Sequence, residues 1–185
     1  IDNAVSQKPK GIVITLPDAA ALGKSVKAAI AAGIPVVSMN SGSDDYASLG
    51  ISAHVGQTEF EAGVGGGQKM KAAGGKKALC VNHEVGNVAL DRRCAGFKKG
   101  FGGSVDILGT SNDPTEIQKA VAAKLGGGYD TILTLGAGLS GEAALKALEA
   151  AGKVGNVKLG TFDMSPNMLK AAAAGKVEFL IDQQQ

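Results

Sequence analysis

The chain has 185 residues, with 19 Lys and Arg against 17 Asp and Glu, a formal net charge of +2 and only 4% aromatic residues. Interspersed charges and few aromatics leave neither a basic stripe nor a stacking platform, which argues against a nucleic-acid partner. No apolar run approaches the ~18 residues of a membrane span, and the first residues carry no charged-then-apolar signal segment, while the length suffices for one domain or two small ones.

Residues 1–8 read as the tail of a helix. GIVITL (11–16) is a buried strand, Pro17-Asp18 turns into a helix with Leu22, Val26 and Ile30 on one face, and Gly33 and Pro35 stop it. Strands follow at 36–39, ending at Asn40-Ser41, and at 51–55, leading to Gly56-Gln57-Thr58. The pattern then restarts with a helix from Glu59 to about Ala73 and a strand-loop-helix unit over Lys76–Phe101. Within that unit Ala78-Leu79-Cys80-Val81 is the strand, 82–87 a polar loop, and Val88, Leu90, Cys94, Phe97 and Phe101 recur at near-helical intervals.

A strand at 105–109 precedes Asp113-Pro114-Thr115-Glu116, which has a helix cap, a first-turn proline and a capping-box acid in order. Strands at 131–135, 157–161 and 177–181 alternate with helices opening at Ser140 and Ser165-Pro166. Strands alternating with helices predict an α/β fold with parallel sheets. Five strands fall after Thr58 and three before it. The expected organisation is therefore a partial first lobe over residues 1–57, a second lobe over 58–183, and the start of a return crossing at 184–185.

The two cysteines lack the spacing of a zinc site, and no metal site is expected. Cys80 lies about two residues below the top of its strand, roughly 7 Å, and Cys94 about seven residues into the returning helix, roughly 10 Å. Matching depths allow a strand–helix disulfide, with two free buried thiols as the alternative. A disulfide would place the protein in an oxidising compartment.

Gly136-Ala137-Gly138-Leu139-Ser140-Gly141 satisfies a dinucleotide fingerprint, with Asp163 as the ribose-binding acid. Its late position in the series of βα units and the abundance of glycine weigh against that reading. His83 and Glu84 share the polar loop without a nucleophile tied to them, so ligand contact is favoured over catalysis, and His54 reads as structural. Arg92 and Arg93 point in different directions from one helix; one can reach a ligand, and Arg93 is read as pairing with a carboxylate. No catalytic residue and no cofactor is expected. What remains at strand carboxyl ends is Asn40, Ser41, 82–87, Asn112, Asp163, Asp182 and Gln183, a donor and acceptor set suited to a polyhydroxylated ligand.

With those residues in place the chain resembles type I periplasmic binding proteins, specifically the ribose-binding-like sugar receptors of ABC importers. GIVITLPDAAAL, AAGIPVVSMNS, HVGQTEFEAG, DRRCAGF, LKALEAAGK, TFDMSP and IDQQ carry the resemblance. It implies two doubly wound parallel-sheet lobes joined by a hinge and closing over a sugar, the first lobe incomplete, with further elements before Ile1 and after Gln185. Asn40 falls where a ligand-binding Asp is usual, Ser41 where an Arg often follows, and Asp91 where a sugar-binding Arg is common. Arg93 matches a second, structural Arg. Asn112 lies near an aromatic ligand position, Ala137 and Gly138 replace a ligand Asn and a frequent Asp, and Asp163 and Gln183 match ligand residues. The expected ligand set is thus Asn40, Ser41, Asp91, Asn112, Asp163 and Gln183, with His83, Glu84, Asn87 and Arg92 in a second rank.

The altered middle positions point to a carbohydrate or polyol unlike ribose. The resemblance implies a monomeric, non-enzymatic receptor, periplasmic or held at the outer face of a Gram-positive membrane, whose partners are that ligand and a membrane permease. The alternatives are the sugar-responsive core of a LacI-type repressor, which carries a helix-turn-helix ahead of its first lobe, and a dinucleotide-binding enzyme domain.

Overall fold

The computed structural model describes residues 1–183, so the expected crossing at 184–185 lies outside the described residues. These residues divide into two compact units, one of 1–59 with 86–89 and one of 60–85 with 90–183.

The first unit holds α1 (Asp2–Ser6), β1 (Ile12–Ile14), α2 (Ala19–Ala31), β2 (Val36–Met39) and β3 (Ala53–Val55), with the strands parallel in the order β1-β2-β3. Asp18 caps α2 by accepting Ala21 N–H at 2.9 Å. One sheet face packs Ile12, Ile14 and Val36 against Val26 and Ala29 of α2. The register places Val13 beside Val37 and Ala53, and Met39 beside Val55, on the opposite face. There Val13 is 65% and Val55 53% exposed, an apolar face that nothing among the described residues covers. His54 Nδ1 lies 2.8 Å from Ser38 Oγ and its ring stacks on Tyr46, while its buried Nε2 has no hydrogen-bond partner among the described residues.

The second unit begins in α3 (Glu59–Ala72) and runs through β4 (Lys77–Asn82), α4 (Val88–Phe101), β5 (Ser104–Gly109), α5 (Pro114–Lys124), β6 (Thr131–Thr134), α6 (Glu142–Ala150), β7 (Lys158–Phe162), α7 (Pro166–Ala173) and β8 (Phe179–Ile181). Its five parallel strands lie in the order β5-β4-β6-β7-β8, so the winding direction reverses between β4 and β6. Both sheet faces are filled. Leu79, Val81, Ile132 and Leu159 meet α5, α6 and α7 on one side, and Ala78, Cys80, Leu133 and Phe162 meet α3 and α4 on the other. Asp113 and Ser165 cap α5 and α7 as the sequence predicts. The capping box of α5 is only half formed, because Glu116 pairs with Ser111 Oγ. The predicted helix from Ser140 opens instead as a wide turn over Ala137–Gly141, with Ser140 and Gly141 N–H both donating to Gly136 C=O at 3.1 and 2.8 Å.

The helix α4 is fixed from two sides. A disulfide joins Cys80 of β4 to Cys94 of α4, with Cα atoms 5.9 Å apart and both residues fully buried. On its other side α4 meets α3 backbone to backbone. Gly63 and Gly67 of α3 lie on the carbonyls of Arg93 and Phe97, and Gly96 and Gly100 of α4 lie on those of Phe60 and Val64. A methyl group on any of the four would overlap the facing backbone. Gly65, in the same helix, faces open space.

Two substitutions separate seam from composition. Gly67→Ala should destabilise the second unit by about 1–3 kcal/mol through overpacking, whereas Gly65→Ala should stabilise it by roughly 0.5–1 kcal/mol through helix propensity. Urea unfolding followed by circular dichroism checks both signs.

Candidate functional site

The carboxyl ends of β4, β6, β7 and β8 carry the polar residues of the second unit. Arg93 sits on α4 directly before the disulfide and is only 3% exposed. A buried guanidinium must be paired and hydrogen-bonded to be tolerated. Here it donates to Gln183 Oε1 at 2.8 Å and Leu135 C=O at 3.3 Å, and it lies over the Phe162 ring at 4.6 Å. The guanidinium is donor only, so it fixes which end of the Gln183 amide faces it. The amide's N–H end then donates to Asp163 Oδ1. Arg93, read from sequence as pairing with a carboxylate, therefore reaches one through Gln183.

Asp163 directly follows β7 with φ +66°, a left-handed conformation that Asp and Asn adopt more readily than other side-chain-bearing residues. Its N–H continues the ladder to Ile181 C=O at 2.9 Å. Asn40 repeats this arrangement in the first unit: it directly follows β2 with φ +64°, and its N–H bonds Val55 C=O at 2.9 Å. Non-glycine residues held in this region cluster at ligand sites.

His83 is the first residue beyond β4. Its Nδ1 lies 3.3 Å from Ser140 Oγ, in the turn that follows β6. Burial, reinforced by Arg93 and opposed by Glu84 and Asp163, holds the imidazole below the usual histidine range, so it is neutral at pH 7. Asn82, fully engaged, shapes the loop: Nδ2 donates to Asp91 Oδ1 at 2.8 Å and Oδ1 accepts Glu84 N–H at 3.0 Å.

The expected ligand set thus divides. Asp163, Gln183 and His83 come together, and Asp91 is held beside Asn82. Ser41 is 2% exposed, and both its hydroxyl and its carbonyl accept Leu16 N–H at 3.0 and 3.2 Å. It ties the end of β1 to the end of β2. Asn87 accepts Ala89 N–H at 3.0 Å and so caps α4. Asn112 is exposed beyond the edge strand β5, with β4 and β6 between that strand and β7. Glu84 is exposed in the loop, and Arg92 half-buried on α4. Ser140, absent from the expected set, was legible only as part of a glycine-rich turn. The dinucleotide reading is not favoured by this geometry, since the Ser140 and Gly141 amides are engaged by Gly136 C=O and Asp163 by Gln183.

A periplasmic binding protein domain model matches residues 1–185. The chain belongs to the periplasmic binding protein family. Among solved members with this fold, a carbohydrate transporter from Acidothermus cellulolyticus 11B in complex with myo-inositol is 36% identical, with a TM-score of 0.93 over 98% of this chain and 64% of that one. An ABC sugar transporter, a periplasmic sugar-binding protein from Legionella pneumophila, is 24% identical with a TM-score of 0.84, covering 98% of this chain and 70% of that one. An ABC transporter solute-binding protein from Burkholderia graminis C4D1M in complex with D-arabinose is also 24% identical with a TM-score of 0.84, covering 98% and 65%. The chain therefore spans about two thirds of the length of these binding proteins. No curated protein sequence matches it.

Arg93→Met should cost about 1–3 kcal/mol of stability, because Gln183 and the Leu135 carbonyl lose a buried donor. Arg93→Lys should recover little of it, since an ammonium cannot reproduce the planar fork. Denaturant midpoints of the two variants against wild type check both statements.

Proposed function

We propose that this chain is the ligand-binding portion of an extracytoplasmic receptor that captures a sugar or polyol and delivers it to the permease of an ABC importer. The observation that carries the reading is the fixed sequence Arg93 to Gln183 to Asp163 at the carboxyl edge of the sheet, which leaves a carboxylate oriented for hydroxyl donors. Its position accords with the rule that open α/β sheets bind ligands beyond their strand ends. The myo-inositol held by the Acidothermus relative favours a cyclic polyol as ligand, and Asp91 in place of a sugar-binding Arg favours a ligand other than ribose.

The Cys80–Cys94 disulfide supports export to an oxidising compartment and disfavours a cytoplasmic repressor core. On this reading the protein works as a monomer, in the periplasm or anchored outside a Gram-positive membrane, with no cofactor, no catalytic step and no nucleic-acid partner. Asp163 and Gln183 are the proposed ligand contacts of the second unit, and Asn40 is that of the first.

A thermal-shift panel of myo-inositol, pentoses and hexoses, followed by calorimetry, tests the reading. A cyclic polyol should give the largest shift, and Asp163→Ala should weaken its binding at least tenfold, about 1.4 kcal/mol. Failure of every panel member to bind would refute the proposal.

A further inference from the structure

His83 and Ser140 follow β4 and β6, the neighbouring strands between which the winding reverses. Such a reversal opens a crevice between the two loops, which leave the sheet in opposite directions. The hydrogen bonds at this crevice settle the imidazole tautomer. Ser140 has one hydroxyl proton and donates it to Gly136 C=O at 3.0 Å. Towards His83 Nδ1, at 3.3 Å, the same oxygen can only accept, so the ring proton resides on Nδ1. In the neutral ring Nε2 then carries a lone pair and no proton.

A second acceptor stands close by. Asp163 Oδ1 receives the Gln183 amide, leaving Oδ2 for another donor. The point where a side chain on Gly136 would begin is 3.5 Å from His83 Nε2 and 3.7 Å from Asp163 Oδ2. Glycine at this position keeps the space beside both acceptors clear. Two acceptors converge there, and a guest with adjacent hydroxyls supplies a pair of protons for them.

We propose that His83 Nε2 and Asp163 Oδ2 act as an acceptor pair for two neighbouring hydroxyls of the ligand, and that the pair functions only while His83 is unprotonated. This rests on the reading of the site as a polyol site and adds to it a specificity residue and a pH dependence. Protonation turns Nε2 into a donor, which then turns to the Asp163 carboxylate in a charge-assisted bond and removes both acceptors from the ligand. Asp163 and Glu84 favour the protonated ring, while burial and Arg93 disfavour it. The ring is therefore neutral at pH 7 and gains its proton on acidification below the ordinary histidine value of 6.5. Affinity is full above that value and declines as the pH falls.

The test is calorimetric titration of the intact chain with myo-inositol at about pH 7.5 and about pH 5, beside nitrogen-15 NMR of the imidazoles. Wild type should bind more weakly at the lower pH. His83→Phe should lose roughly tenfold at the higher pH and show no further pH effect. His83→Gln, which offers a carbonyl oxygen in place of Nε2, should keep most of the affinity and lose the pH dependence. NMR should place the His83 proton on Nδ1. Wild-type binding with an unchanged His83→Phe affinity, equal affinity at both pH values, or a proton on Nε2 overturns the acceptor pair while leaving the polyol reading standing. Absence of myo-inositol binding by wild type overturns the acceptor pair, and absence of binding by every sugar and polyol of the panel overturns both.

Discussion

Burying the Arg93 guanidinium is the constraint from which the rest of the second unit's polar edge follows. At 3% exposure the charge cannot be left to water, and among the oxygens that receive it are a strand-end carbonyl and the amide of Gln183. Satisfying the cation orients the amide, and the oriented amide positions Asp163. A stability requirement is thus converted into a preorganised acceptor, which lowers the ordering cost that a ligand would otherwise meet. The helix bearing Arg93 is in turn held by the disulfide to β4 and by the glycine seam to α3. Those features lie away from the carboxyl edge of the sheet, yet they set where the guanidinium stands.

The strand ends of the two units share one device. Asn40 and Asp163 each leave a parallel strand in a left-handed conformation while their N–H groups still pair with the neighbouring strand. The backbone turns sharply at the sheet edge and the polar side chain is presented there. Neither residue is a helix cap; Ser165 has that task for α7. Their short, hydrogen-bonding side chains make the conformation tolerable where a β-branched residue would be strained. Together with the winding reversal between β4 and β6, this concentrates hydrogen-bonding groups at the edge where open α/β sheets bind ligands.

Much of this was legible in the sequence because it is local. Apolar runs bounded by Gly and Pro placed every strand of both sheets to within a few residues, and Asp113 and Ser165 announced their helices. The strand–helix geometry of Cys80 and Cys94 left the disulfide and two free thiols both open, and the structure contains the disulfide. What escaped was long-range or depended on backbone approach. Gly63, Gly67, Gly96 and Gly100 belong to a seam that becomes visible only once two helices are laid together. Arg93 and Gln183 are 90 residues apart, and Ser140 is 57 residues from His83, so no spacing rule connects them. Ser41 and Asn87 carry side chains suited equally to ligands and to backbone, and the backbone claims them.

The relay from Arg93 through Gln183 to Asp163 is the central claim, and a double-mutant cycle on myo-inositol affinity tests it most directly. If the buried cation orders the carboxylate for binding, Arg93→Met and Asp163→Asn will be coupled by about 1 kcal/mol or more, the second change costing less once the first is made. Effects that add to within roughly 0.3–0.5 kcal/mol would mean that Asp163 binds without the help of Arg93, contradicting the account.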